Sequence, residues 1–111
     1  MLNVKSLGNL IPKPFAGPVN VSTTYSNALL EQISRNDPSL HSINLNSKNL
    51  IDANIKSLCE ALTRNRSVEE LHLCNNKATD VSARYIGHML KFNNNLKEVY
   101  LNGNNIGPKV N

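Results

Sequence analysis

"RNDPSLHSINLN", Arg35 to Asn46, stops a helix and begins a strand with no loop between them. Pro38 removes a backbone donor and biases Asp37 toward extended conformations, so a helix running through NALLEQIS must end at about Arg35 or Asn36. Leu40, Ile43 and Leu45 follow at once in the pattern L-x-x-I-x-L. The pattern recurs in "RSVEELHLCNNKA" and again in "NNNLKEVYLNGNNI". Leu40, Val68 and Leu96 are 28 residues apart, as are Ile43, Leu71 and Val99, and Leu45, Leu73 and Leu101. The register continues between these stretches, where Asp52 matches Asp80, Leu58 matches Ile86, Leu62 matches Leu90 and Asn65 matches Asn93. A fixed period of this length marks a stack of repeated units.

The residues define what one unit must be. Alternation at Ile43 and Leu45, or Leu71 and Leu73, points two side chains to one face of a short strand. Next come "NSKN", "CNNK" and "NGNN", turn-forming stretches in which Asn76 and Asn104 are placed to bond the turning backbone. Lys48 takes that place in the first unit, where its ammonium cannot accept a hydrogen bond. The single glycine of "NGNN", Gly103, fits a left-handed turn position. Asp52 and Asp80 read as helix N-caps, and Asn65 and Asn93 as left-handed C-caps. Between them, Ile55, Leu58, Cys59 and Leu62 form one apolar stripe; Ala83, Ile86 and Leu90, with Met89 beside them, form the next. The spacing predicts parallel strands over 42–46, 70–74 and 98–102 and helices over 25–35, 53–64 and 81–92. The fold class is an α/β solenoid of about two and a half repeats after an entering helix, with strands on the concave side and helices on the convex side.

The chain has 111 residues, which suits one small domain. Residues 1–24 hold three of the five prolines and two of the five glycines without a sustained period, and read as a flexible leader. Residues 25–111 form the repeat domain. The sequence stops with Pro108 where a third helix should begin, so the domain is expected to be cut short. Val99 and Leu101 are then expected to lack cover, with the chain from Asn102 onward poorly ordered and the open end prone to self-association. No apolar run is long enough to span a membrane, and no secretory signal is evident, which points to the cytoplasm. Cys59 and Cys74 read as free thiols. The net charge of +4 comes from scattered basic residues, and the five aromatics do not interleave with them, which argues against nucleic acid. Lys56, Glu60, Arg64, Arg84 and Lys91 are most simply solvated helix faces.

Residues flanking the inward strand positions project from the sheet and are expected to be exposed and uncommitted to packing. The rows are Ser42, Asn44 and Asn46, then Glu70, His72 and Cys74, then Glu98, Tyr100 and Asn102. Solenoids bind through such faces, so Asn44, Asn46, Glu70, His72, Glu98, Tyr100 and Asn102 are the candidate partner-binding residues. No metal is expected, because zinc needs three or four converging ligands and the rows beside His72 and Cys74 supply only Asn44 and Tyr100. No catalytic residue or cofactor is expected either. Nothing in the sequence orients His72 as a base for Cys74 or forms an oxyanion hole, and no glycine-rich phosphate loop exists.

The pattern L-x-x-L-x-L-x-x-N at this period resembles the leucine-rich repeat of the ribonuclease-inhibitor type. Over Tyr25 to Leu101, a helix ending in "NDP", then "LHSINLN", then "LCEAL" followed by Asn65, then "IGHMLKFNNNLKEVYLNGNNI", is similar to the repeat domain of tropomodulin and leiomodin. That resemblance implies a non-catalytic protein-binding module with a cytoskeletal role and actin as partner at the slow-growing filament end. It implies tropomyosin less, because in that family the tropomyosin-binding segments are amphipathic and precede the repeats, where this chain has only its Pro- and Gly-punctuated leader. The alternative is a generic scaffold of the same repeat type, such as the sensor of a nucleotide-binding receptor or a regulator of a small GTPase.

Overall fold

A computed structural model of the chain describes residues 3–6 and 22–107. The elements in order are β1 (Asn3–Ser6), α1 (Asn27–Ser34), β2 (Ser42–Asn44), α2 (Asp52–Leu62), β3 (Glu70–His72), α3 (Asp80–Phe92) and β4 (Glu98–Tyr100). Strands β2, β3 and β4 are parallel, with Ser42, Glu70 and Glu98 in register and Asn44, His72 and Tyr100 likewise. Each expected strand is present, and the ladder outlasts it, since Leu45 N donates to His72 O at 2.8 Å and Ser47 N to Cys74 O at 2.9 Å.

Strand β1 lies within the expected leader. It pairs antiparallel with β4, matching Ser6 to Glu98 and Lys5 to Val99, with an irregularity between Asn3 and Lys5. At the other edge Thr23 N donates to Asn44 O at 2.8 Å and Asn44 N donates to Thr23 Oγ1 at 3.1 Å. Both edges of the parallel sheet are therefore occupied, which blunts the tendency of open strands to pair with other chains. The rest of the expected leader, and the stretch from Pro108 onward where the last repeat was expected to be cut short before its helix, lie outside the described residues.

The core joins the inward strand positions to the helix stripes. Ile43, Leu45, Leu71, Leu73, Val99 and Leu101 are buried against Ile55, Leu58, Leu62, Ile86 and Met89. Val99 and Leu101 were expected to be left bare, yet both are covered, with Ile106 packed partly against the same core. Residues Asn102 to Gly107, expected to be poorly ordered, are tied to the preceding unit: Asn105 N donates to Ala78 O at 2.8 Å and Gly107 N to Asp80 Oδ1 at 2.9 Å. On α3 the buried stripe is Ser82, Ile86 and Met89 rather than Ala83, Ile86 and Leu90. The helix is rolled toward α2, leaving Ala83 and Leu90 half-buried.

Polar residues repeat as strictly as apolar ones. Asn76 Oδ1 accepts from Lys48 N at 2.9 Å and Leu50 N at 3.0 Å, while its Nδ2 donates to Leu45 O at 2.9 Å and Leu73 O at 3.0 Å. The second unit thus supplies the acceptor that Lys48 cannot. Asn104 does the same one unit on, accepting from Ala78 N at 3.0 Å and donating to Leu73 O at 2.9 Å. Among the described residues no buried side-chain nitrogen or oxygen is left without a partner.

Two expectations about caps fail. Asp52 and Asp80 are the first helical residues, and the N-caps are Ile51 and Thr79. Asp52 instead reaches to the next helix, accepting from Thr79 N at 2.9 Å, from Thr79 Oγ1 at 2.7 Å and from the Ser82 hydroxyl. Asn65 and Asn93 are not left-handed, and Asn36, with φ 62°, is the left-handed residue that ends a helix. Asn65 Oδ1 accepts from Ser67 N at 3.0 Å and Val68 N at 2.8 Å; Asn93 Oδ1 accepts from Asn95 N at 2.8 Å and Leu96 N at 2.7 Å. Their amides donate backward, Asn65 to Ile33 O at 2.9 Å and Asn93 to Leu62 O at 2.6 Å. They are entry clamps for the strands, and Asp37 Oδ1, accepting from Ser39 N at 2.9 Å, repeats the turn in the first unit.

Candidate functional site

The sheet brings the candidate residues together in three rows across the strands. In the first, Ser42 Oγ donates to Glu70 Oε1 at 3.5 Å, and Glu98 lies beyond Glu70 in register. In the second, the His72 ring stacks on Tyr100 with centroids 4.8 Å apart and an interplanar angle of 16°. The rows are joined where His72 Nε2 meets Glu70 Oε1 at 3.3 Å. In the third, Asn46 Oδ1 accepts from Cys74 N at 2.7 Å, and Asn75 N donates to Asn102 O at 2.8 Å. Asn44 Oδ1 in turn accepts from Asn46 N at 3.1 Å.

These contacts correct the expectation of a free, uncommitted face. Adjacent parallel strands are close enough for each polar side chain to meet its equivalent one unit away, so the rows bond to one another. The side chains of His72 and Glu70 retain only 18% and 20% of their exposure. Glu98 is buried at 4%, deeper than its equivalent Glu70, although both stand on strands with a neighbour on either side. Glu98 bonds the Tyr100 hydroxyl. Burial first, and then that bond to Glu98, push the Tyr100 phenol up to about 12. Tyr100 is thus a neutral, positioned ring with Glu98 as its support.

His72 Nε2 is taken up by Glu70, and Cys74 is a free, half-buried thiol. Cys59 is buried on the α2 stripe as expected, and burial raises its thiol to about 12. Among the described residues no group of three or more His, Cys, Asp or Glu side chains is arranged to hold a metal ion. No helix among them is long and apolar enough to cross a membrane.

The opposite rim carries exposed residues that the sequence reading treated as scattered or passed over. Arg64, Arg66 and Phe92 surround the two strand-entry asparagines. Their signal in the sequence is positional, since Arg64 and Phe92 are 28 residues apart and each precedes a buried asparagine.

Comparison with known proteins places this architecture. The solved C-terminal domain of tropomodulin from Caenorhabditis elegans superimposes with a TM-score of 0.67 at 23% identity, covering 74% of this chain and 50% of that one. A solved leiomodin-1 domain described as actin-binding site 2 superimposes with a TM-score of 0.71 at 29% identity, covering 77% of this chain and 50% of that one. Human leiomodin-2 is 35% identical over 81 residues, which are 72% of this chain and 15% of leiomodin-2. The chain therefore spans half or less of the length of these relatives. Residues 22–110 match the TMOD/LMOD leucine-rich domain, and with three parallel strands, three helices and the 28-residue register in place, the chain belongs to the tropomodulin/leiomodin leucine-rich domain family.

Proposed function

We propose that this chain is a non-catalytic, cytoskeletal protein-interaction module that binds actin at the slow-growing end of the filament. The observation that carries the reading is the likeness, at 29% identity over 77% of the chain, to a leiomodin-1 domain described as an actin-binding site. The contact surface in this proposal is the sheet face, where the stacked His72 and Tyr100 form a rigid aromatic anchor flanked by Asn44, Asn46, Glu70 and Asn102. A preorganised ring with a polar tip loses little freedom on docking, which suits it to the centre of an interface. Glu98, being buried, supports Tyr100 rather than meeting the partner.

The experiment pairs two readouts. Fluorescence anisotropy of the labelled chain with monomeric actin reports binding, and pyrene-actin elongation from gelsolin-capped seeds reports action at the slow-growing end. Saturable binding, slowed elongation and loss of both in Tyr100→Ala are expected. No binding and unaltered elongation overturn the actin reading, whereas full binding by Tyr100→Ala and His72→Ala overturns the assignment to the sheet face.

A further inference from the structure

On the rim where the helices end, the chain runs Thr63-Arg64-Asn65-Arg66 from α2 toward β3. Asn65 is buried and bonded inward to Ile33 O, so both neighbours are turned outward, and Arg64 and Arg66 are exposed. The next unit repeats the device, with exposed Phe92 and Asn94 on either side of buried Asn93. The common register sets Phe92 beside Arg64. Between these residues lies a groove of about 850 Å³ that His88 also lines. A second cleft of about 600 Å³ between α2 and α3 shares Thr63, Arg64, Asn65 and His88 with it, and is lined by Tyr85 and Met89. The two form one continuous, partly apolar channel.

Its charge is one-sided. No carboxylate lines the larger part, and in the smaller part Glu60 is one turn of α2 from Lys56, which lies over the Tyr85 ring at 6.0 Å. The ion pairs among the described residues are His72 with Glu70 and Lys97 with Glu69, so neither Arg64 nor Arg66 is neutralised there. Phe92 is 60% exposed, its ring edge-on to His88 with centroids 5.2 Å apart. Phe92 thus sets exposed apolar surface in the same groove as Arg64 and Arg66.

We propose that this rim channel docks an acidic peptide segment, with carboxylates on the Arg64 and Arg66 guanidiniums and an apolar side chain against the exposed Phe92 ring. Guanidinium forks match carboxylates in geometry, and an adjacent apolar anchor supplies the desolvated contact that holds such a pair. A polynucleotide fits less well. It needs a longer track of cations and successive stacking rings, whereas here Lys56 already lies over the Tyr85 ring, the Phe92 ring is edge-on to His88, and Arg64 and Arg66 are the two cations left on the larger part. The site is separate from the sheet face, so it stands or falls independently of the actin reading.

The test uses the full chain and a fluorescein-labelled synthetic peptide of Glu and Asp residues with two leucines, followed by anisotropy. Saturable binding is expected, weakening with added salt and falling about tenfold or more in Arg64→Glu/Arg66→Glu and about fivefold in Phe92→Ala. Lys48→Ala, at an exposed position that lines neither cleft, should leave it unchanged. Circular dichroism confirms that the exposed-site variants remain folded. Equal binding of the matched Gln/Asn peptide, or retained affinity in the folded charge-reversal variant, overturns the proposal. Tighter binding of oligothymidylate than of the peptide overturns it too, in favour of a phosphate backbone.

Discussion

At the scale of single residues, the turn after each strand sets the tightest constraint. Ser47, Asn75 and Gly103 occupy equivalent positions and are all left-handed, with φ of 58°, 59° and 78°. Only the last is glycine, and its neighbour explains why: a Cβ there would stand 2.0 Å from Asn75 Oδ1 and 3.3 Å from Asn75 Cα. The amide can rotate away, but the backbone atom cannot, and a positive φ itself costs a non-glycine residue about 1 kcal/mol. Gly103→Ala should therefore lower stability by about 1–3 kcal/mol, read as a lower urea midpoint at constant slope. Ser47→Gly, which relieves the same strain in the first unit, should leave the midpoint unchanged or raise it slightly. A Gly103→Ala midpoint at or above that of the natural chain would contradict this account. The glycine was legible in the sequence as a left-handed turn; the equivalent role of Ser47 was not, because serine carries no preference for that conformation.

Between elements, the acidic residue at each helix start does more for its neighbour than for its own helix. Burial pushes the Asp52 carboxyl up, but bonds from Ser82 and from the amide and hydroxyl of Thr79 outweigh it and hold the group below its ordinary 3.8. The folded state thus binds fewer protons than the unfolded chain in mild acid. The stabilisation is complete above pH 3.8 and is lost as pH falls through the lowered value. Asp52→Ala should cost about 1–3 kcal/mol at neutral pH, and the gap between variant and natural chain should close on acidification below pH 3.8. A gap that stays constant across that range removes Asp52 as the tie between α2 and α3. The period made every repeat strand and every helix legible, because apolar spacing records burial directly. It did not reveal which helix a carboxylate serves, since a cap within a unit and a tie across units place the same residue type at the same position. Glu98 illustrates the same limit at the sheet, where it matches Glu70 in sequence register but has the antiparallel β1, from outside the repeats, as one of its two neighbours. Nothing in "NVKS" announces that pairing.

For the whole molecule, the decisive feature is that each end of the parallel sheet is covered by chain from before α1. Thr23 closes the β2 edge and β1 closes the β4 edge. The self-association expected of an open solenoid end therefore depends on whether β1 is in place. Removing residues 1–6 should leave the β4 edge unpaired and produce concentration-dependent dimers or larger species in sedimentation velocity, where the full chain sediments as a smaller species. Identical sedimentation of both chains at all soluble concentrations would show that β1 does not guard this edge. The asparagine rows carry a further, mechanical consequence. Asn65, Asn76, Asn93 and Asn104 each span the boundary between one layer and the layer before it, across the same boundaries that α1 and the strand ladder bridge. Tension along the stack must break side-chain and main-chain ties together, because both bridge each boundary in parallel. Successive layers should accordingly resist being peeled apart one at a time.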